Sequence, residues 1–78
     1  MYIAKREFTE KSKKLRTSYY SKQLEASPQY TCSILNGQKN CSGLFARAIL
    51  SLYYEIPLGD DRMIQLLEEN FETVTKEE

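Results

Sequence analysis

The chain has 78 residues, with 11 basic and 11 acidic side chains and no histidine, which is enough for one small domain over residues 1–78. Without histidine there is no imidazole base and no His-containing metal site, and two cysteines are too few for a zinc site or a disulfide scaffold. We therefore expect no enzymatic activity, no cofactor, no metal and no small-molecule substrate.

Neither a secretory signal nor a membrane span is predicted. Charges begin at Lys5, before any apolar run, and the longest apolar stretch, residues 48–58, is interrupted by Ser51, Glu55 and Pro57. We expect a cytoplasmic protein in which both cysteines are plain thiols.

Charge is distributed unevenly along the chain. Residues 1–47 carry nine basic and three acidic side chains, a balance of +6, whereas residues 48–78 carry two and eight, a balance of −6. A basic half attracts polyanions, so the pattern favours a nucleic acid or an acidic partner. The alternative is that these charges are solvated helix faces, as is typical of Lys11, Lys13 and Lys14. The zero net charge argues against strong non-specific DNA affinity.

A Lys-rich first helix is predicted near the start of the chain. Phe8, Ser12 and Leu15 lie at i, i+4 and i+7, with Thr9 as the candidate N-cap. No strand is predicted, because the segment 2–3 is too short to be more than an extended arm.

Two further short helices follow. Tyr20 and Leu24, four residues apart, define one side of the second helix. Ser27 and Pro28 mark the start of the third, since serine caps a helix and proline suits its first position. That helix is expected to end at residues 36–37, where Asn-Gly allows a left-handed conformation. Its inward residues are predicted to be Thr31, Ile34 and Leu35.

The last two helices are the most clearly amphipathic. The fourth is predicted from an apolar stripe at Phe45, Ile49, Leu52, Tyr53 and Ile56. Pro57 would end it, and Asp60 or Asp61 would cap a fifth helix. The inner side of that fifth helix is predicted to carry Met63, Ile64, Leu67 and Phe71. Residues 73–78 are expected to form a frayed polar tail.

Residues 17–37, TSYYSKQLEASPQYTCSILNG, contain two of these helices separated by about three residues. The segment resembles the helix-turn-helix of the lambda-repressor-like family, also described as Cro/CI or XRE-type. The residues that match the family pattern are of five kinds. They are the apolar positions Tyr20, Leu24 and Ala26, the small residue Ser21, the cap Ser27, the buried residues Thr31 and Ile34, and the helix end at Asn36 and Gly37. The following helix and the Pro-Leu-x-Asp-Asp turn extend the resemblance over about residues 15–71.

The resemblance implies an all-α, five-helix DNA-binding domain with a central helix-turn-helix, in which the helix at 28–35 enters the major groove of double-stranded DNA. It places the base-reading positions at Gln29, Tyr30 and Ser33, with Cys32 at the margin. It places the phosphate-contacting positions at Thr17, Tyr19, Asn36, Lys39 and Asn40.

Several positions depart from the family pattern. Glu25 stands where the family prefers glycine, Thr17 replaces a glutamine, and Thr31 replaces an aliphatic residue. The helix at 28–35 contains no lysine or arginine. Gln29 and Ser33 are also compatible with ordinary exposed helix positions, and the tyrosines with packing.

Two functions remain open at this point. The first is a sequence-specific transcriptional regulator of the phage Cro or repressor type, acting as a homodimer on a palindromic site. The second is a modulator of repression, which binds a CI-type repressor protein and has little DNA affinity of its own. Its acidic fifth helix would mimic DNA on the repressor's basic DNA-reading surface. Either partner would contact a protein interface at Tyr53, Tyr54, Ile56, Leu58 and Met63.

Overall fold

The computed structural model describes residues 1–13 and 16–74. The elements are β1 Tyr2–Ala4, α1 Arg6–Ser12, α2 Thr17–Leu24, α3 Pro28–Leu35, α4 Gly43–Tyr54, α5 Met63–Asn70 and β2 Phe71–Thr73. Five helices hold 60% of the described residues, so the domain is predominantly helical. The predicted positions of Lys14, Leu15 and the tail beyond residue 74 lie outside the described residues. No helix in the described part is long and apolar enough to cross a membrane.

Two short strands correct the all-α prediction. β1 and β2 pair antiparallel, with Tyr2 opposite Thr73. On its other side Tyr2 exchanges two backbone hydrogen bonds, each 2.7 Å long, with Cys41. The prediction that the tail frays from Thr73 is therefore wrong at Thr73, which lies in β2, and the next amide, of Val74, donates to the Met1 carbonyl (2.8 Å). Three-residue strands carry too little alternation to be recognised in a sequence.

α1 begins earlier than predicted. Lys5 is the N-cap, and Thr9 lies inside the helix, where its hydroxyl donates to the Arg6 carbonyl (2.8 Å). Thr9 is thus wrong as a cap. Phe8 and Ser12 are buried, as predicted. The Ser12 hydroxyl also donates to the Leu35 carbonyl (2.9 Å), which fixes the end of α1 against the end of α3.

α4 has a deeper inner face than the predicted stripe. Ala46, Ile49 and Leu50 are fully buried, and the other stripe residues, Phe45, Leu52, Tyr53 and Ile56, are half-buried around them. The helix ends at Tyr54, before Pro57 is reached, because Glu55 adopts a left-handed conformation (φ 56°).

α5 follows its prediction at Met63 and Leu67, which are buried, but not at Ile64, which is 67% exposed. Phe71 is buried as predicted, yet it lies in β2, after α5 has ended at Asn70. The predicted cap at Asp60 or Asp61 is wrong, because the N-cap of α5 is Arg62 and no side chain caps the helix. Asp60 Oδ1 instead accepts a hydrogen bond from the Arg62 amide (2.8 Å) in the turn before α5.

The core is centred on Phe8. Its ring contacts Phe71 (centroids 5.3 Å apart) and Tyr53 (5.5 Å), which brings α1, β2 and α4 together. The buried apolar residues form one cluster, made of Ala4, Phe8, Tyr20, Ile34, Leu35, Cys41, Ala46, Ile49, Leu50, Met63, Leu67 and Phe71. Each of the five helices contributes to this cluster or to its edge, so the α2–α3 pair is held on a rigid support.

Candidate nucleic-acid interface

α2 and α3 are eight-residue helices joined by the three residues 25–27. Ser27 caps α3 as predicted, its hydroxyl accepting from the Tyr30 amide (3.1 Å), and Pro28 occupies the first turn. Ser21 is buried where the helices pack, a position at which a small side chain allows close approach. The local sequence therefore builds the helix pair and its turn through identifiable caps.

Glu25 takes the left-handed conformation in this turn, with φ 53° and ψ 43°. The turn is closed by the Ala26 amide, which donates to the Ser21 carbonyl (3.0 Å). This conformation suits glycine better than a residue with a Cβ. The departure noted in the sequence is thus accommodated at a local cost in strain.

The outward face of α3 is polar and uncharged. Thr31, Ile34 and Leu35 are buried, as predicted, so the opposite side of the helix faces solvent. We call this surface the α3 face; its members are Gln29, Cys32, Ser33 and Asn36. All are exposed except Ser33, which is half-buried.

Cys32 belongs to the α3 face rather than to its margin. The Asn36 side-chain amide donates to the Cys32 sulfur (3.3 Å), joining two members of the face. The other cysteine, Cys41, is fully buried, and burial raises the pKa of its thiol to about 11, an effect that the N-terminal amino group partly offsets. Cys32 is therefore the accessible thiol of the pair.

Tyr30 lies at the side of α3, towards α4. Its ring is half-buried and meets Phe45 edge-on, with centroids 5.3 Å apart. Lys39 Nζ lies 5.3 Å from the Tyr30 ring centroid, a cation–π distance. Of the predicted base-reading residues, the structure places Gln29 and Ser33 on the α3 face, while Tyr30 anchors Lys39 beside it.

The loop after α3 is held close to the domain. Gly37 has φ 72°, and a Cβ at this position would lie 3.1 Å from Thr9 Cγ2 and 3.2 Å from the Ala4 carbonyl oxygen. Any other residue would be strained by this conformation and crowded by these two atoms, so glycine suits the position. Lys39 is exposed and Asn40 half-buried on the loop that follows. Asn36 and Lys39 thus remain next to the end of α3, as the phosphate-contact prediction requires.

The start of α2 carries two of the predicted phosphate-contacting residues. Thr17 is half-buried at the first helical position, and Tyr19, which is exposed, packs its ring edge-on against Tyr20 (5.7 Å). Tyr19 and Arg16 both line a groove between α2 and α4. Arg16, which the sequence analysis passed over, is exposed at the N-cap of α2. The sequence feature that could have indicated this residue is a cation directly before the start of a helix.

The predicted protein interface changes in composition. Met63 is only 3% exposed, so it is not part of any surface, whereas Leu58 is 49% exposed. Tyr53 and Tyr54 are half-buried with centroids 4.8 Å apart, and the Tyr54 hydroxyl accepts from Asn70 (3.2 Å). Ile56 is half-buried. Ile64 and Leu44 are two of the most exposed apolar side chains, although neither was predicted to lie in this interface.

This chain matches no protein-family model, no curated protein and no solved structure. Within residues 1–13 and 16–74, no three side chains of His, Cys, Asp or Glu are grouped so that they could hold a metal ion.

Proposed function

We propose that this protein is a DNA-binding transcriptional regulator of the Cro or repressor type, which inserts α3 into the major groove. The observation that carries the proposal is the α3 face. It presents four hydrogen-bonding or polarisable side chains on a helix whose opposite side is locked into the core. An α-helix about 10–12 Å wide fits the major groove, which is about 12 Å wide.

The chemistry of the α3 face suits base edges. Gln29 can donate and accept towards adenine, and Ser33 can bond to several bases. The face carries no carboxylate that would repel DNA. Its neutrality means that sequence is read by hydrogen bonds, while affinity must come from cations outside the face.

Phosphate contacts are assigned to cations that flank the face. Lys39 is held beside α3 by Tyr30, and Arg16 is exposed at the N-terminus of α2, where the helix dipole also favours an anion. Each phosphate neutralised contributes about 0.9 to the slope of log affinity against log salt. We therefore expect a shallow slope of about −2 for each bound chain from these two cations.

The second candidate function is a modulator of repression that binds a CI-type repressor. It is favoured by the exposure of Ile64 (67%) and Leu58 (49%) close to the acidic residues of α5, since apolar groups left exposed among charges mark protein contacts. Either role belongs in the cytoplasm.

The test uses Cys32 as a reporter of the α3 face. Fluorescence anisotropy would measure binding to duplexes from the DNA upstream of the gene and to random duplex, at two salt concentrations. Alkylation of Cys32 would be followed in the same samples. If α3 enters the groove, specific DNA slows Cys32 alkylation, while the buried Cys41 is unreactive with or without DNA.

Matched variants separate base reading from charge. We expect Gln29→Ala to weaken the preferred duplex by about 1–3 kcal/mol and random duplex little. Gln65→Ala, which removes an exposed glutamine from α5, should change neither. Lys39→Ala should weaken all duplexes alike and reduce the salt slope. A folded protein that binds no duplex at low salt would overturn the proposal, and binding to the purified neighbouring repressor would then establish the second candidate.

A further inference from the structure

A groove runs between α2 and α4. It has a volume of about 520 Å³, with an apolar floor and a mostly basic rim. Leu52, Tyr20 and Tyr53 form the floor. Arg16, Lys22 and Glu55 carry the charges of the rim, with a balance of +1, and Ser18 and Tyr19 complete it. We call this the α2–α4 groove.

Tyr20 supplies a hydroxyl to the α2–α4 groove. Only 4% of its surface is exposed, yet it lines the groove. Burial, with smaller contributions from Tyr53, Tyr19 and Glu55, raises the pKa of this hydroxyl to about 12. The hydroxyl therefore keeps its proton at neutral pH and can donate a hydrogen bond to an anion that enters the groove.

The outer side of α5 has the opposite character. Ile64 is 67% exposed, and Glu68 lies one turn further along the same side of the helix, so an apolar and an anionic side chain stand next to each other. We call this the acidic α5 face; its exposed members are Asp61, Ile64, Glu68, Glu69 and Glu72. Lys5 and Arg47 line one pocket with Ile64, Glu68 and Glu72, so two cations stand beside these acids, and Lys5 Nζ donates to the main-chain carbonyl of Glu68 (2.7 Å). The four acidic members outnumber the two cations.

We propose that the α2–α4 groove binds the acidic α5 face of a second copy of this chain. Ile64 would cover the apolar floor at Leu52, and the Glu68 carboxylate would meet Lys22 and Arg16 and accept from the Tyr20 hydroxyl. Glu55 is the one acidic side chain that lines the groove and would repel Glu68, but it is outnumbered by the two cations. The unequal charges of the two halves of the chain, +6 and −6, make the attraction general as well as local.

Charge restricts how two copies can meet. Groove on groove and α5 on α5 are disfavoured, because like charges would oppose each other. In a two-fold dimer, each groove would meet the acidic α5 face of the other copy and the contact would form twice; in a head-to-tail arrangement, each copy would use its groove towards one neighbour and its acidic α5 face towards the next. The contact forms without DNA, so it stands or falls independently of the proposed function.

The experiment is a pair of charge reversals measured by sedimentation velocity across a concentration series. The natural chain should associate in low salt and dissociate in high salt. Lys22→Glu makes the groove acidic, and Glu68→Lys makes the α5 face more basic, so each variant alone should associate at least about tenfold more weakly. Mixed together, the two variants should associate again, because each now offers a surface that the other complements.

Matched controls and substitutes keep the result interpretable. Lys11→Glu and Glu7→Lys make the same charge changes on exposed positions of α1 and should leave association unchanged. Circular dichroism establishes that each variant is folded, and Arg16→Glu or Glu69→Lys replaces a variant that is not. The proposal is overturned if the natural chain is monomeric throughout the series, if the reversals have no more effect than the controls, or if the mixture does not associate.

Discussion

Replacing Thr31 by valine should stabilise this protein. The Thr31 hydroxyl is fully buried and has no hydrogen-bond partner among the described residues. An unpaired hydroxyl of this kind costs about 1–3 kcal/mol of folding free energy. Valine has nearly the same shape and a similar helix propensity. Burial of its extra methyl group contributes about 0.8 kcal/mol to the free energy of unfolding.

Both effects have the same sign, so we expect Thr31→Val to raise the free energy of unfolding by about 2–4 kcal/mol. For a domain of this size, each kcal/mol raises Tm by roughly 4–8 °C. Urea unfolding followed by circular dichroism should show a higher midpoint and an unchanged slope, because the surface exposed on unfolding is almost the same.

The control for this prediction is Thr9→Val, which makes the same chemical change where the hydroxyl has a partner. Thr9 donates to the Arg6 carbonyl (2.8 Å), so its loss should be neutral or cost up to about 1 kcal/mol. Thr31→Ser, which keeps the hydroxyl and removes a buried methyl group, should destabilise. If Thr31→Val is no more stable than Thr9→Val, the Thr31 hydroxyl is satisfied in solution and the reasoning is refuted.

Three further predictions concern the turn, its cap and the buried tyrosine. Glu25→Gly should stabilise by about 0.5–1 kcal/mol in a thermal melt, because glycine relieves the left-handed conformation, and Glu25→Ala should not. Ser27→Ala should destabilise by about 1 kcal/mol in urea, through loss of the bond to the Tyr30 amide, whereas Ser27→Asp should retain most of the stability. Burial raises the pKa of Tyr20 to about 12, so the unfolded chain loses this proton at a lower pH than the folded protein does. The stabilisation that this shift contributes should be complete below pH 10 and should be lost as the pH rises towards 12. An equally steep fall in the free energy of unfolding of Tyr20→Phe would contradict this origin.

The sequence predicts the helix pair well because its signals are local. Ser27, Pro28 and Gly37 act within one turn of chain, and the structure confirms α3 from its cap to its end. The buried face of α3 follows from the helical period once those limits are known. Most of the α3 face, including Gln29, could therefore be predicted from the sequence. The exceptions are Cys32, which lies on the face, and Tyr30, which lies beside it, because the packing of α3 against α4 decides both positions.

Features that depend on distant parts of the chain could not be predicted in this way. Ile64 has the composition of a core residue, but Met63 and Leu67 set the inward direction of α5 and leave Ile64 outside. The pairing of β1 with β2 joins Tyr2 to Thr73, and no local pattern indicates such a contact. The α2–α4 groove likewise depends on how two helices meet.

The backbone bonds of Tyr2 have a consequence for the order in which the molecule assembles. β1 connects the loop at Cys41 with β2, and its pairing with β2 closes about 70 residues of chain, for an entropy cost of about 4 kcal/mol. Helix contacts between neighbours in the sequence form at a much lower cost, so the sheet is the last part to close. Opening it releases the loop that carries Lys39 while the helices persist, so the amide of Cys41 should exchange with solvent deuterium together with those of β2 and before those of α4.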